Sequence, residues 1–207
     1  MNTYEVTLTF TEAMLGTVPK DKNIYSSFIA SKAPKSVDTE DEIESVQEAE
    51  EKGWTGFHCD ADGKPFLFNY MIKGFFKDAC SMLSRVSGKK IRGQERVAKN
   101  NSSKLTAFKK IIDGLVFVFP RKIPIMVNGE IGVLERPLRA PTPQGERVCL
   151  ARSDTVPAGS KIQFVIKVLG EVDKKTLIEW LEYGALRGLA QWRNGGYGTF
   201  EYELIEV

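Results

Sequence analysis

Apolar and polar residues alternate most cleanly at the start of the chain. From Thr3 to Phe10, Tyr4, Val6, Leu8 and Phe10 fall on one side and Thr3, Glu5, Thr7 and Thr9 on the other, the two-residue period of a half-buried strand. The period changes at Tyr70–Val86, where Ile72, Phe75, Phe76, Ala79, Leu83 and Val86 recur at three and four. That spacing predicts a packed helix, stopped by Gly88. Leu115–Phe119 is an apolar run, and Ile123–Val127 extends it to an expected strand over 115–127. Asn128-Gly129 then separates two apolar segments and predicts a tight hairpin. Val148–Ala151 and Ile162–Leu169 read as strands on either side of the turn Pro157-Ala158-Gly159-Ser160. Leu177, Ile178, Leu181 and Ala185 line a last helix over 173–189, with Asp173 as its cap. Phe200, Tyr202, Leu204 and Ile205 close the pattern as a strand over 199–206.

The intervening stretches are less regular. Residues 11–36 read as loop with room for one short helix. Residues 38–52 predict a surface helix, with a capping box at Thr39-x-x-Glu42, a thin stripe of Ile43, Val46 and Ala49, and Lys52-Gly53 at its end. Asp62-Gly63 marks a loop or short hairpin within 53–65. Ser87–Ser103 is nearly free of apolar residues and reads as a basic loop; Leu105, Phe108, Ile111 and Ile112 follow as a short helix, capped by Ser102 or Ser103 and ended by Gly114. Three prolines and three arginines make 135–147 an expected extended, edge-like loop.

Without the insertions the order is βαββαβ, which predicts an α+β, ferredoxin-like domain with both helices on one face of an antiparallel sheet. The expectation is a single domain over 1–207, with insertions at about 11–68 and 87–113 and a hairpin or loop at about 120–147. A chain of 207 residues, 42% of them hydrophobic, can bury a full core.

The formal charge of +2 hides a strong asymmetry. All charges between 38 and 51 are acidic, whereas Arg85, Lys89, Lys90, Arg92, Arg96, Lys99, Lys104, Lys109 and Lys110 face only Glu95. Either run can be a solvated face. Alternatively, the basic one fits a phosphate backbone and the acidic one a basic protein partner. Cys59, Cys80 and Cys149 form no C-x-x-C pair, as expected of reduced thiols in a cytoplasmic protein. No apolar run reaches the roughly 18 to 20 residues that span a bilayer, so no membrane partner is expected. The single histidine, His58, lies beside Cys59, Asp60 and Asp62 and is a candidate general base, with a lysine as the alternative base; one histidine and one cysteine are half a zinc site, so no metal or cofactor is expected.

The densest functional signal is Leu186–Phe200. Glycines at 188, 195, 196 and 198 permit positive φ and close approach, and Arg187, Trp192, Arg193, Asn194 and Tyr197 add cationic, amide and stacking groups. Such a set suits a phosphodiester chain. The same glycines also suit a tight helix-to-strand connection, with Trp192 and Tyr197 as packing aromatics.

This run, Gly188-Leu-Ala-Gln-Trp-Arg193-Asn-Gly-Gly196-Tyr-Gly198-Thr-Phe200, resembles the glycine-rich loop of the RAMP superfamily of CRISPR-associated RNA-binding proteins. The opening strand followed by Gly16, and Asn69-Tyr-Met-Ile-Lys73-Gly74-Phe-Phe-Lys77, resemble two further landmarks of that family. The resemblance implies a ferredoxin-like, RAMP-like fold and binding of RNA or single-stranded nucleic acid through the loop residues Trp192, Arg193, Asn194, Gly195, Gly196, Tyr197 and Gly198. It adds Lys73 as a phosphate contact, while Arg187 and the basic run at Lys89, Lys90, Arg92 and Arg96 extend the expected surface. It does not imply cleavage. Part of a CRISPR-like complex, or a stand-alone phage relative acting against one, both fit; a protein-interaction role for the acidic helix and a metal-independent endoribonuclease using His58 are the alternatives.

Overall fold

A computed structural model describes residues 1–20, 54–86, 100–142, 145–170 and 172–207, with backbone alone over 138–142 and 145–149. The expected acidic helix 38–52 and the residues Lys89, Lys90, Arg92 and Arg96 lie outside the described residues. The chain begins with strands β1 (Asn2–Phe10), β2 (Met14–Leu15), β3 (Val18–Pro19), β4 (Thr55–Gly56), β5 (His58–Cys59) and β6 (Pro65–Phe68). Helix α1 (Asn69–Leu83) leads through a 3₁₀ turn, Ser102–Lys104, to α2 (Phe108–Leu115). Then come β7 (Val116–Phe119), β8 (Lys122–Met126), β9 (Gly132–Thr142), β10 (Gly145–Val156), β11 (Lys161–Val168), α3 (Lys174–Arg187) and β12 (Phe200–Glu206).

Strand β1 lies inside the larger sheet, antiparallel to β11 on one side, with Tyr4 opposite Ile166, and to β12 on the other, with Tyr4 opposite Glu206. β7 pairs antiparallel with β11, giving the order β12–β1–β11–β7; β8, β6 and β5 continue the sheet from the other half of β11. The alternation of β1 explains the layers. Tyr4, Val6, Leu8 and Phe10 join Phe164, Ile166, Val116 and Val118 in one core with Phe75, Phe76, Leu177 and Trp180 of α1 and α3. The other face keeps Glu5, Lys161 and Gln163 at the surface with Phe119, which is 47% exposed. This antiparallel α+β arrangement is consistent with a ferredoxin-like fold.

Helix α3 starts where expected, the Asp173 carboxylate accepting the Thr176 amide at 2.8 Å. It packs closely on its neighbours because residue 184 has no side chain: a Cβ there would run into the Phe75 ring and stand 2.7 Å from Phe200 Cζ. Gly74 in α1, by contrast, faces open space, so no close contact explains it.

Four local expectations need correction. Ser102 and Ser103 do not cap α2, which starts after Ala107 in the left-handed region. Ser102 instead docks on α3: the Glu179 carboxylate accepts its amide at 3.0 Å and its hydroxyl at 2.9 Å, and Trp180 Nε1 donates to the same hydroxyl oxygen at 3.1 Å. Gly114 does not end α2 but lies within it, and the helix runs straight into β7. Asn128-Gly129 joins no hairpin, because β8 belongs to the larger sheet and β9 to a second one. The reason is local: the Asn128 amide is taken by Ser160 Oγ at 2.9 Å, which ties the turn to the start of β11. Finally, the segment expected as a loop within 120–147 is largely strand. β9 pairs antiparallel with β10 from Gly132–Thr155 to Thr142–Gly145. Its prolines are tolerated because, among the described residues, β9 pairs only with β10, and an edge strand can lack donors on its open side.

The second sheet runs β2–β10–β4–β3, with β9 on β10. Gly16 and Gly56 make its tightest approach, since a Cβ on Gly16 would stand 2.6 Å from the Gly56 Cα.

The two helix glycines give opposite expectations. Gly74→Ala gains helix propensity without a clash and stabilises by up to about 1 kcal/mol. Gly184→Ala forces the Phe75 and Phe200 rings apart and costs about 1–3 kcal/mol of overpacking. Denaturant midpoints of the two variants check both signs; a stabilised Gly184→Ala would mean that the core is looser than described.

Candidate nucleic-acid interface

The loop between α3 and β12 is closed at a narrow neck. Leu189, buried in the core, donates its amide to Gly198 O at 2.9 Å, and the Gly198 amide donates to Ala13 O at 2.9 Å. Both neck glycines have positive φ, 83° at Gly188 and 72° at Gly198. A Cβ on Gly188 would strike Tyr197 O, and one on Gly198 would strike Leu189 O. No other residue fits at either position without moving backbone. The loop therefore leaves α3 as a rigid projection.

At its rim, Trp192 has φ 53° and Arg193–Gly195 form one 3₁₀ turn. The glycine amides expected to face a phosphate already have acceptors in the chain: Gly195 donates to Trp192 O at 2.9 Å, Gly196 to Arg193 O at 3.1 Å, and Gly198 to Ala13 as above. The cations are similarly engaged. Arg193 Nη1 sits 2.7 Å from Asp78 Oδ2 of α1, Arg187 Nη1 donates to Asn194 Oδ1, and Lys73 Nζ donates to Asp113 O at 3.1 Å. Trp192 and Tyr197 stack on one another, centroids 5.1 Å apart and planes 13° off parallel, yet Trp192 stays 38% exposed. Space around Gly196 is open. The structure thus gathers Trp192, Arg193, Asn194, Gly195, Gly196, Tyr197 and Gly198 in one loop with Arg187 at the end of α3, whereas the described contacts of Lys73, on α1, are with Asp113 and Phe117 and not with the loop.

Sequence reasoning missed what the second sheet adds. Arg136 of β9 lays its guanidinium over the Trp192 ring, 4.0 Å from the centroid. Gln191 Oε1 accepts from Thr55 Oγ1 of β4 at 3.0 Å, which fixes the loop to that sheet. Next to it, Asp154 Oδ1 accepts from Lys20 Nζ and Trp54 Nε1, both at 2.8 Å. No periodic signal marked Arg136: it shares a strand face with Leu134, but the run Val133-Leu134-Glu135-Arg136-Pro137-Leu138 does not alternate. Burial pulls the Arg136 guanidinium below its ordinary value, an effect opposed by nearby Tyr197.

His58 stands apart from this chemistry. Its ring stacks on Phe66 at 5.7 Å and meets Phe68 edge-on at 4.8 Å. Burial lowers its pKa from 6.5, and among the described residues no group of three potential metal ligands surrounds it or any other position. Cys59 and Cys80 are free thiols; burial, with Glu179 close by, pushes the latter up to about 11. No described helix is long and apolar enough to cross a membrane.

No family model matches the chain. No curated protein matches it either. Its fold is nevertheless similar to solved structures. One chain of a structure described as the Type III-B Cmr-beta bound to cognate target RNA aligns over all of this chain at 12% identity and a TM-score of 0.54. This chain spans 60% of that one's length. A chain of a Type IV-B CRISPR complex aligns with 98% of this chain and 90% of its own, at 12% identity and a TM-score of 0.49. The first likeness is one of fold.

Gly198→Ala combines a left-handed backbone with a collision against Leu189, so a loss of about 1–3 kcal/mol is expected, together with a shift in tryptophan emission as the Trp192 stack loosens. Denaturation followed by fluorescence reads both. His58 gives a pH signature. Its folded pKa is depressed, so its contribution is complete above the unfolded value of 6.5 and is lost as pH falls through the lower folded value. In His58→Phe that step in the pH–stability curve should vanish.

Proposed function

We propose that this chain is an RNA or single-stranded nucleic-acid-binding protein of RAMP type that works as part of, or against, a CRISPR-like complex. The observation that carries this reading is the locked loop: its neck admits only glycine, and its rim presents exposed Trp192, Asn194, Gly195 and Gly196 in a fixed geometry. A preformed rim binds without the entropic cost of ordering a flexible segment. Exposed ring surface offers a stacking platform and the neighbouring arginines offer charge, the two terms that single-strand binding combines. The fold likeness to a chain from an RNA-bound Cmr structure supports the same class of ligand.

In this reading the engaged cations exchange partners. Arg193 gives up Asp78 when a phosphate arrives, so Asp78 competes with the ligand. The two ends of that ion pair therefore have opposite effects on affinity for single-stranded RNA, read by fluorescence anisotropy across a salt series. Arg193→Ala should weaken binding, by about tenfold for a loss near 1.4 kcal/mol. Asp78→Asn should strengthen it. If both variants weaken binding alike, the pair is structural and Arg193 is not a phosphate contact. Single-stranded DNA and duplex probes in the same series separate RNA from other ligands, and absence of binding by the parent protein at low salt would sink the functional reading.

A further inference from the structure

Around the loop, each cation described with a carboxylate partner has it close: Arg193 with Asp78 at 2.7 Å, Arg152 with Glu135 at 2.7 Å, and Lys20 with Asp154 at 2.7 Å. Arg187 has the Asn194 amide oxygen and Lys73 a backbone carbonyl, whereas Arg136 is 8% exposed, its Nε and Nη1 are shut off from water, and neither has a hydrogen-bond partner among the described residues. Its one strong described contact is the Trp192 ring, which takes the face of the guanidinium and leaves its edge donors unused. A desolvated cation with idle donors is costly, and packing against Trp192 alone would be served better by an apolar side chain. A ligand that completes those donors would offset the cost.

We propose that Arg136 is a phosphate-binding residue of the loop interface, donating from Nε and Nη1 to the nonbridging oxygens of a phosphodiester held at the Trp192 rim. This rests on the nucleic-acid reading of the loop. Arginine suits the position because its planar head stacks on the indole while its in-plane N–H groups stay free to donate to oxygen acceptors once these reach them, which a lysine cannot do. The ligand must shift the Trp192 ring to reach the donors. Strand binding and a change at Trp192 are thus one event, and β9 of the second sheet becomes part of the same surface as the loop that leaves α3.

The test uses the full chain with its arginine Nε–Hε NMR signals, that of Arg136 identified by its loss in Arg136→Lys. Three probes are added separately: oligouridine, inorganic pyrophosphate and an acidic peptide. Oligouridine should move the Arg136 signal. In parallel, Arg136→Gln should lower oligouridine affinity about tenfold and flatten the log–log salt dependence by about 0.7, the share of one phosphate on a single strand. Equal slopes in parent and variant, with a stationary Arg136 signal, overturn the proposal while leaving the loop's nucleic-acid role intact. If oligouridine does not bind at all, the functional reading fails on its own. A signal that still moves with pyrophosphate then keeps the phosphate site, and one that stays still removes it. A response to the acidic peptide alone reassigns Arg136 to a protein carboxylate and also overturns the proposal. The NMR signal is followed in the parent protein and its assignment needs only the conservative Arg136→Lys to fold, so an unstable Arg136→Gln does not obscure the answer.

Discussion

Two backbone segments meet at the base of the loop with no side chain between them, and much of the molecule is arranged so that they can. Gly188 ends α3 by turning into positive φ, Gly198 returns the chain toward β12, and the amide of Leu189 bridges the gap. Leu189 adds an apolar anchor in the core, so hydrogen bonding and burial fix the same point. The approach also requires α3 to sit low on the sheet, which Gly184 allows by leaving room for the rings of Phe75 and Phe200. Replacing the neck with larger residues would push α3, β12 and the β1–β2 connection apart together, since Thr11 and Ala13 bond into the same junction.

The main sheet was legible because its signals are long and redundant. β1 alternates without interruption over its length, and α1 and α3 carry apolar residues at three and four, so tertiary packing had only to accept what local periodicity offered. The second sheet was only partly so. β2, β3 and β4 are two residues long and β9 is broken by prolines; of the long strand β10 only Val148–Ala151 was expected, and what makes the rest strands is pairing across the chain. Asn128-Gly129 shows how a strong turn signal misleads: the dipeptide does make a turn, but Ser160 holds it against β11, and the strands on either side join different sheets. The loop was visible as a cluster of glycines and aromatics, whereas its ion pairs were not, because the acids concerned, Asp78 above all, come from another element.

Those ion pairs alter how the charge pattern should be understood. Counting arginines and lysines along the sequence overstates the charge available to a ligand, because a cation 2.7 Å from a carboxylate projects little field beyond the pair. Among the described residues around the loop, what remains is short-range chemistry at particular atoms. Selectivity then depends on whether a ligand can displace a specific carboxylate or supply a specific acceptor, and both demand good geometry.

Strand β1 is hydrogen-bonded on both sides by segments that occur far later in the sequence, β11 and β12, with Tyr4 facing Ile166 across one seam and Glu206 across the other. A nascent chain makes β1 first and its two neighbours last. Until those neighbours are made, this core strand has two open edges and no partner in the sheet, a state that invites pairing with other chains. The loop neck forms only after that gap is filled, which couples completion of the binding rim to the final step of sheet assembly.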